Sequence, residues 1–137
     1  MHHFTRKKAM NDDELLQYGH RMRREVLGAD YADSIPSTET EFSRPIRDFT
    51  TKYVWGEIWG DTTLPPKTRG LINIAMLTAM HCSQELKLHI RGARRNGCSW
   101  EEIRAVLKHA GVYSGAPALR SAVRYANEVY VDEAKQK

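Results

Sequence analysis

Cysteine is scarce in this chain, whose 137 residues include only two, Cys82 and Cys98. Neither their number nor their spacing indicates a disulfide framework. Two free thiols fit a reducing compartment, so we expect a cytoplasmic location.

Long apolar runs are also missing. The longest run, residues 71–80, is interrupted by Asn73 and Thr78. It is far shorter than the roughly 20 apolar residues that cross a bilayer. The basic N-terminus is followed by no hydrophobic segment, which excludes a secretory signal. We therefore expect no membrane partner, a flexible leader over residues 1–10 and one domain over residues 11–137.

Charge of one sign does not dominate the chain, because 21 Lys and Arg are balanced by 17 Asp and Glu to a net charge of +4. The basic residues are scattered and mixed with acids. No zinc-finger, RNA-recognition or basic-zipper pattern is present, so no nucleic-acid partner is expected. A hydrophobic content of 41% with 28% charged residues is typical of a globular protein.

Helical signals account for nearly the whole chain, and no segment has the pattern of a strand pair. Asn11 or Asp12 can cap a first helix that ends before Gly28, and Ser99 begins a capping box with Glu102. The expected helices are residues 12–27, 45–59, 67–80, 83–95, 99–112 and 117–134, with a loop over 29–41. The sequence predicts an all-α bundle of about six helices joined mostly by short turns.

The third predicted helix is apolar almost all round over residues 71–80. Such a helix lies either at the centre of a core or at an interface between subunits. One small domain can hardly cover every side of it. We therefore expect the chain to form a homo-oligomer.

The fourth predicted helix carries the main candidates for chemistry, Glu85 and His89. Four residues apart, their side chains are neighbours on one face, where a carboxylate and an imidazole can handle a proton. A surface ion pair remains an alternative. A metal site with His81 is another, but the His-Glu-x-x-His signature is missing and we expect no metal. A dithiol would pair Cys82 with a cysteine at position 85, which is Glu.

Ordered motifs along the chain resemble the γ-carboxymuconolactone decarboxylase family. They include W-G-E-x-W at residues 55–59 and E-L-x-x-H at residues 85–89. Several matches in order along one chain are far more specific than any single motif. The matching stretches are residues 19–28, 55–59, 68–79, 85–93, 96–103 and 113–118.

The resemblance implies a fold shared with the alkylhydroperoxidase D-like proteins, assembled as a homotrimer or homohexamer. It also implies a cofactor-free decarboxylase acting on a small anionic lactone in the protocatechuate branch of aromatic degradation. Loss of carbon dioxide leaves electrons that flow through the ring double bond to the lactone carbonyl. Because the substrate absorbs these electrons itself, no cofactor is expected.

Such a reaction needs carboxylate binding, stabilisation of charge on the lactone oxygen and delivery of a proton. We expect Glu85 to act as the general acid while His89 polarises the carbonyl, although the reverse assignment remains open. Arg69 is the candidate carboxylate clamp, or else forms a structural ion pair with an acid such as Glu57. Glu57 is alternatively a second catalytic acid.

Aromatic and imidazole side chains complete the predicted site. Trp59 is expected to form a wall of the pocket, and His109 and Tyr113 to border it. Three alternatives remain: a paralogue acting on another carbonyl acid, a thiol-dependent peroxidase or reductase using Cys82, and a non-catalytic binding protein.

Overall fold

A computed structural model describes residues 9–34 and 38–137 of the chain, and within these ranges it is helical and contains no strand. Its elements are α1 Asp12–Leu27, α2 Ala29–Ser34, α3 Arg44–Thr50, a π-helical segment Thr51–Trp59, α4 Pro66–Ala79, α5 Ser83–Arg95, α6 Trp100–Ser114 and α7 Ala116–Lys135. The predicted all-α bundle is confirmed. Most of the predicted leader lies outside the described residues.

The ends of the helices follow the local sequence signals. Asn11 accepts a hydrogen bond from the backbone N–H of Glu14, whose side chain accepts one from the N–H of Asn11. Ser99 and Glu102 form the same capping box at the start of α6. Gly97, which follows α5, has a φ of 93°, a left-handed backbone conformation that glycine adopts readily.

The predicted helix 45–59 is only partly α-helical, because its second half, Thr51–Trp59, is a π-helix. This segment crosses α1 so closely that a Cβ at Gly19 would stand 2.1 Å from the carbonyl oxygen of Thr51. π-Helical turns are rare and are frequently found at functional sites. Here the segment turns Trp55 and Trp59 to the same buried side.

Two predicted loop boundaries were wrong. Residues 29–34 form the short helix α2, which an ion pair between Arg24 and Asp33 connects to α1. The turn predicted over residues 113–117 is confined to Gly115, whose φ is 97°, because α6 continues through Ser114.

The buried side chains form two clusters. The larger lies among α4, α5, α6 and α7; the smaller joins α1 to the π-helical segment and includes Val26, Trp55 and Trp59. Leu86 and Ile90 of α5 belong to the larger cluster, whereas Leu88 packs against the smaller one. Helix α5 therefore lies between the two clusters.

Helix α4 is apolar all round, as predicted, but the single chain covers only one side of it. Ile74 is fully buried, whereas the exposed fractions of Ile72, Met76 and Met80 are 41%, 49% and 66%. These three side chains follow one another at intervals of one turn. Over the described residues, no helix is long and apolar enough to cross a membrane.

The two cysteines are both free but differ in environment. Cys98 is fully buried in the larger cluster, as expected for a small hydrophobic side chain. Cys82 is only half-buried and lies at the start of α5.

Candidate active site

Helices α4 and α5 form an antiparallel hairpin that sets the positions of the candidate side chains. The helices approach closely at Gly70, where a Cβ would lie 3.1 Å from the Cβ of Ala93. One turn along the hairpin, Asn73 of α4 contacts His89 of α5. Arg69 lies one turn from Asn73, towards the start of α4. Glu85 lies one turn from His89, towards the start of α5, which is at the opposite end of the antiparallel pair.

The imidazole of His89 lies parallel to two indole rings of the π-helical segment. Its centroid is 6.5 Å from that of Trp55 and 6.4 Å from that of Trp59, with angles between the planes of 8° and 16°. The two indole rings also stack on each other at 5.7 Å. These separations are within the range of stacked aromatic pairs, so the plane of the imidazole is fixed by packing.

The edge of the imidazole is held by Asn73, whose Nδ2 lies 3.3 Å from Nδ1 of His89. Sequence reasoning did not identify Asn73 as a site residue. The available signal was that Asn73 is one of two polar side chains, with Thr78, in the apolar run 71–80.

Burial lowers the pKa of His89 below its ordinary value of 6.5, and the negative charge of Glu85 opposes part of that shift. Taking an imidazolium out of water is unfavourable unless it is paired, so the buried ring prefers its neutral form. The site therefore presents a neutral imidazole whose orientation is fixed.

Arg69 is largely buried and has an acidic partner, but that partner is Asp61 and not Glu57. Its Nη2 donates to the backbone oxygen of Asp61 at 2.9 Å and lies 3.2 Å from the carboxylate Oδ2. Its Nε is buried and, among the described residues, has no hydrogen-bond partner. A buried donor without a partner costs about 1–3 kcal/mol, which an anionic ligand can recover.

The two predicted acids are both exposed to solvent in the single chain. Glu85 lies one turn before His89 on α5, and its negative charge acts to raise the pKa of the histidine. Glu57 lies between the two buried tryptophans in sequence, but its own side chain points outward. The structure thus associates Glu85 with His89 and leaves Glu57 apart from the ion pair of Arg69.

His109 and Tyr113 lie elsewhere in the fold. Their rings stack on each other along α6, with centroids 5.4 Å apart, and Tyr113 is 85% exposed. His109 lines a groove between α4 and α6 with Leu71 and Ile72. Within one chain, the predicted substrate contacts of this pair are therefore separate from the His89 site.

The three residues of the metal alternative, His81, Glu85 and His89, do not lie on one helical face. In the part of the chain that the structure describes, no three His, Cys, Asp or Glu side chains are grouped so that they could hold a metal ion. His81 has a left-handed φ of 57° on the connection between α4 and α5, so it does not continue the helical face of Glu85 and His89.

Comparisons with known proteins identify the family to which the chain belongs. The model of the carboxymuconolactone decarboxylase family matches residues 45–128. The chain is 33% identical over 123 residues to a 4-carboxymuconolactone decarboxylase of Acinetobacter baylyi, which covers 90% of this chain and 92% of that protein. It is 35% identical over 113 residues to nitrosuccinic acid decarboxylase npaB of Metarhizium robertsii, covering 80% and 79%.

The family model and the relative from Acinetobacter together match most of this all-helical chain, including the helical hairpin that carries His89. The chain belongs to the carboxymuconolactone decarboxylase family. Both relatives are decarboxylases, and the chain is a carboxy-lyase. The family and the reaction class predicted from the ordered motifs are confirmed.

The lowered pKa of His89 predicts a pH-dependent stability. The unfolded chain binds the histidine proton more tightly than the folded one, so the free energy of unfolding should fall as the pH drops below about 6.5 and level off below the folded pKa. His89→Gln removes this contribution, and urea denaturation between about pH 7.5 and 5 measures it.

Asn127→Gln, at an exposed position without a titratable group, is the control and should follow the pH dependence of the unsubstituted chain. If His89→Gln follows the same curve as well, the ring is not held neutral by burial.

Proposed function

We propose that this chain decarboxylates 4-carboxymuconolactone to 3-oxoadipate enol-lactone, without a metal or organic cofactor, in the protocatechuate branch of aromatic degradation. The relative from Acinetobacter, aligned over 92% of its length, supports this substrate. The free thiols favour a cytoplasmic location for the reaction.

The observation that carries the proposal is the order of three groups along one hairpin. The guanidinium of Arg69 comes first, and its buried Nε–H has no acceptor among the described residues. The largely buried imidazole of His89 follows, and the solvent-exposed carboxyl group of Glu85 comes last. Decarboxylation of a γ-carboxy lactone needs an anion anchor, a donor to the oxygen that gains charge, and a source of protons. Arg69, His89 and Glu85 supply these in turn.

The reaction balances without an external oxidant or reductant. The bond between the ring carbon and its carboxylate breaks, carbon dioxide leaves, and the electron pair moves through the ring double bond to the lactone oxygen. His89 stabilises the charge on that oxygen while Glu85 transfers a proton to the α-carbon. Its exposed position lets Glu85 take up a replacement proton from water.

Nitrosuccinic acid is the second candidate substrate, because a relative of 35% identity acts on it. Its nitro group can absorb the electron pair left by the departing carboxyl, as the lactone carbonyl does. Both molecules also carry a second carboxylate. The site therefore suits an acid that combines an internal electron acceptor with an additional anionic group.

Turnover of the two acids tests the proposed function. The purified chain should consume 4-carboxymuconolactone with release of carbon dioxide, unaffected by chelator or by alkylation of Cys82, and faster than it consumes nitrosuccinate. Glu85→Gln and His89→Gln should each lower kcat by about 10²–10⁴-fold, since a positioned acid or donor contributes that much.

Glu101→Gln, an exposed substitution at the start of α6, is the matched control and should keep normal kcat. Faster turnover of nitrosuccinate would assign the chain to the second candidate. Activity that survives in both site variants, or that disappears on alkylation, would contradict the assignment of the chemistry to these residues.

The role of Arg69 predicts a different kinetic pattern. Arg69→Gln should raise KM for the dicarboxylate at least about 10-fold, because a charge-assisted hydrogen bond contributes about 1.5–3 kcal/mol. Arg120→Gln on α7, which is exposed, should leave KM unchanged. Steady-state kinetics measure both KM values. An unaltered KM in Arg69→Gln would contradict the proposal that Arg69 binds a carboxylate of the substrate.

We also propose that the chain assembles as a homotrimer or homohexamer. Ile72, Met76 and Met80 form an exposed apolar row on α4, which a second copy of the chain would cover. Light scattering should give a mass three or six times the 15.7 kDa of one chain. Met80→Glu should weaken the assembly, and a purely monomeric chain would contradict the proposal.

A further inference from the structure

The hydrogen bond between Asn73 and His89 restricts where the imidazole carries its proton. The atom of Asn73 that faces the ring is Nδ2, 3.3 Å from Nδ1. An amide NH2 group only donates hydrogen bonds, so this contact is a hydrogen bond when Nδ1 is the unprotonated, accepting nitrogen. A neutral imidazole that accepts at Nδ1 carries its single proton on Nε2.

Packing fixes the remaining freedom of the ring. Trp55 and Trp59 lie parallel to the imidazole and hold its plane. With the plane set by the indoles and the Nδ1 edge set by Asn73, the Nε2–H bond points away from α4. The ring can therefore neither rotate about its axis nor flip without losing one of these contacts.

The charges around the ring act in opposite directions. Trp55, Trp59 and Asn73 are uncharged, and together with burial they favour the neutral ring. Glu85 is the charged group whose field reaches the imidazole, and it favours protonation. Donation by Asn73 opposes Glu85 directly, because an imidazolium has no free nitrogen lone pair to accept the amide proton.

We infer that Asn73 is a positioning residue that holds His89 as the neutral Nε2–H tautomer, so that Nε2–H donates to the substrate oxygen that gains charge. This inference rests on the decarboxylase function proposed above. It assigns charge stabilisation to His89 and leaves proton delivery to Glu85. The same N–H would serve the carbonyl oxygen of a lactone and an oxygen of a nitro group equally well.

Nitrogen NMR of the free protein tests the tautomer without any substrate. In the chain labelled with ¹⁵N-histidine, at a pH where the ring is neutral, Nδ1 of His89 should resonate as a bare imidazole nitrogen and Nε2 as a protonated one. The spectrum of His89→Gln identifies the signals. A proton found on Nδ1 would mean that the amide oxygen of Asn73 faces the ring, and would overturn the inference.

Asn73→Asp tests the positioning role with almost no change in shape. The carboxylate accepts a hydrogen bond from Nδ1–H, so the NMR signals should exchange character and the pKa of His89 should rise. The kcat should fall about 10²-fold or more, as for the loss of an oxyanion donor, while KM stays within a few-fold. Asn127→Asp on α7, an exposed asparagine, should change none of these properties.

The outcomes separate this inference from the proposed function. If Asn73→Asp folds normally but keeps the wild-type tautomer and kcat, Asn73 has no positioning role. If neither acid is turned over by the unsubstituted chain, the proposed function fails, and the NMR experiment still decides the tautomer.

Discussion

The packing of the His89 imidazole against Trp55 and Trp59 connects the two buried clusters of this molecule. Helix α5 carries the histidine, and the π-helical segment carries both indoles. The close crossing of α1 at Gly19 holds that segment in place. Because this packing shields the imidazole from part of the surrounding water, it favours the neutral form of the ring. The chemistry proposed for the site depends on that charge state.

The antiparallel hairpin of α4 and α5 places a basic residue on one side of the His89 ring and an acidic residue on the other. Towards the start of α4, Arg69 keeps one N–H without an acceptor among the described residues. Towards the start of α5, Glu85 is open to water. An anion can thus be anchored on one side of His89 while protons arrive from the other. A substrate that absorbs its own electron pair requires little more from the protein.

Local signals in the sequence predicted the parts of the structure that depend on local physics. Capping boxes and glycine C-caps place the helix ends, since their hydrogen bonds join residues a few positions apart. The π-helical segment depends on contact with α1, which no local pattern reveals. The four-residue spacing of Glu85 and His89 left a surface ion pair open, and the resemblance of the E-L-x-x-H motif to the family favoured a catalytic pair. Asn73 was missed, because its partner His89 is sixteen residues away and its neighbours in sequence are apolar.

A crystal structure of the assembled protein with an unreactive lactone dicarboxylate would test the central claim most directly. We expect one carboxylate of the ligand to accept a hydrogen bond from Nε of Arg69. The carbonyl oxygen should lie within hydrogen-bond distance of Nε2 of His89, and Glu85 should lie next to the carbon that receives the proton. A ligand bound in the groove lined by His109, with no contact to His89, would contradict it.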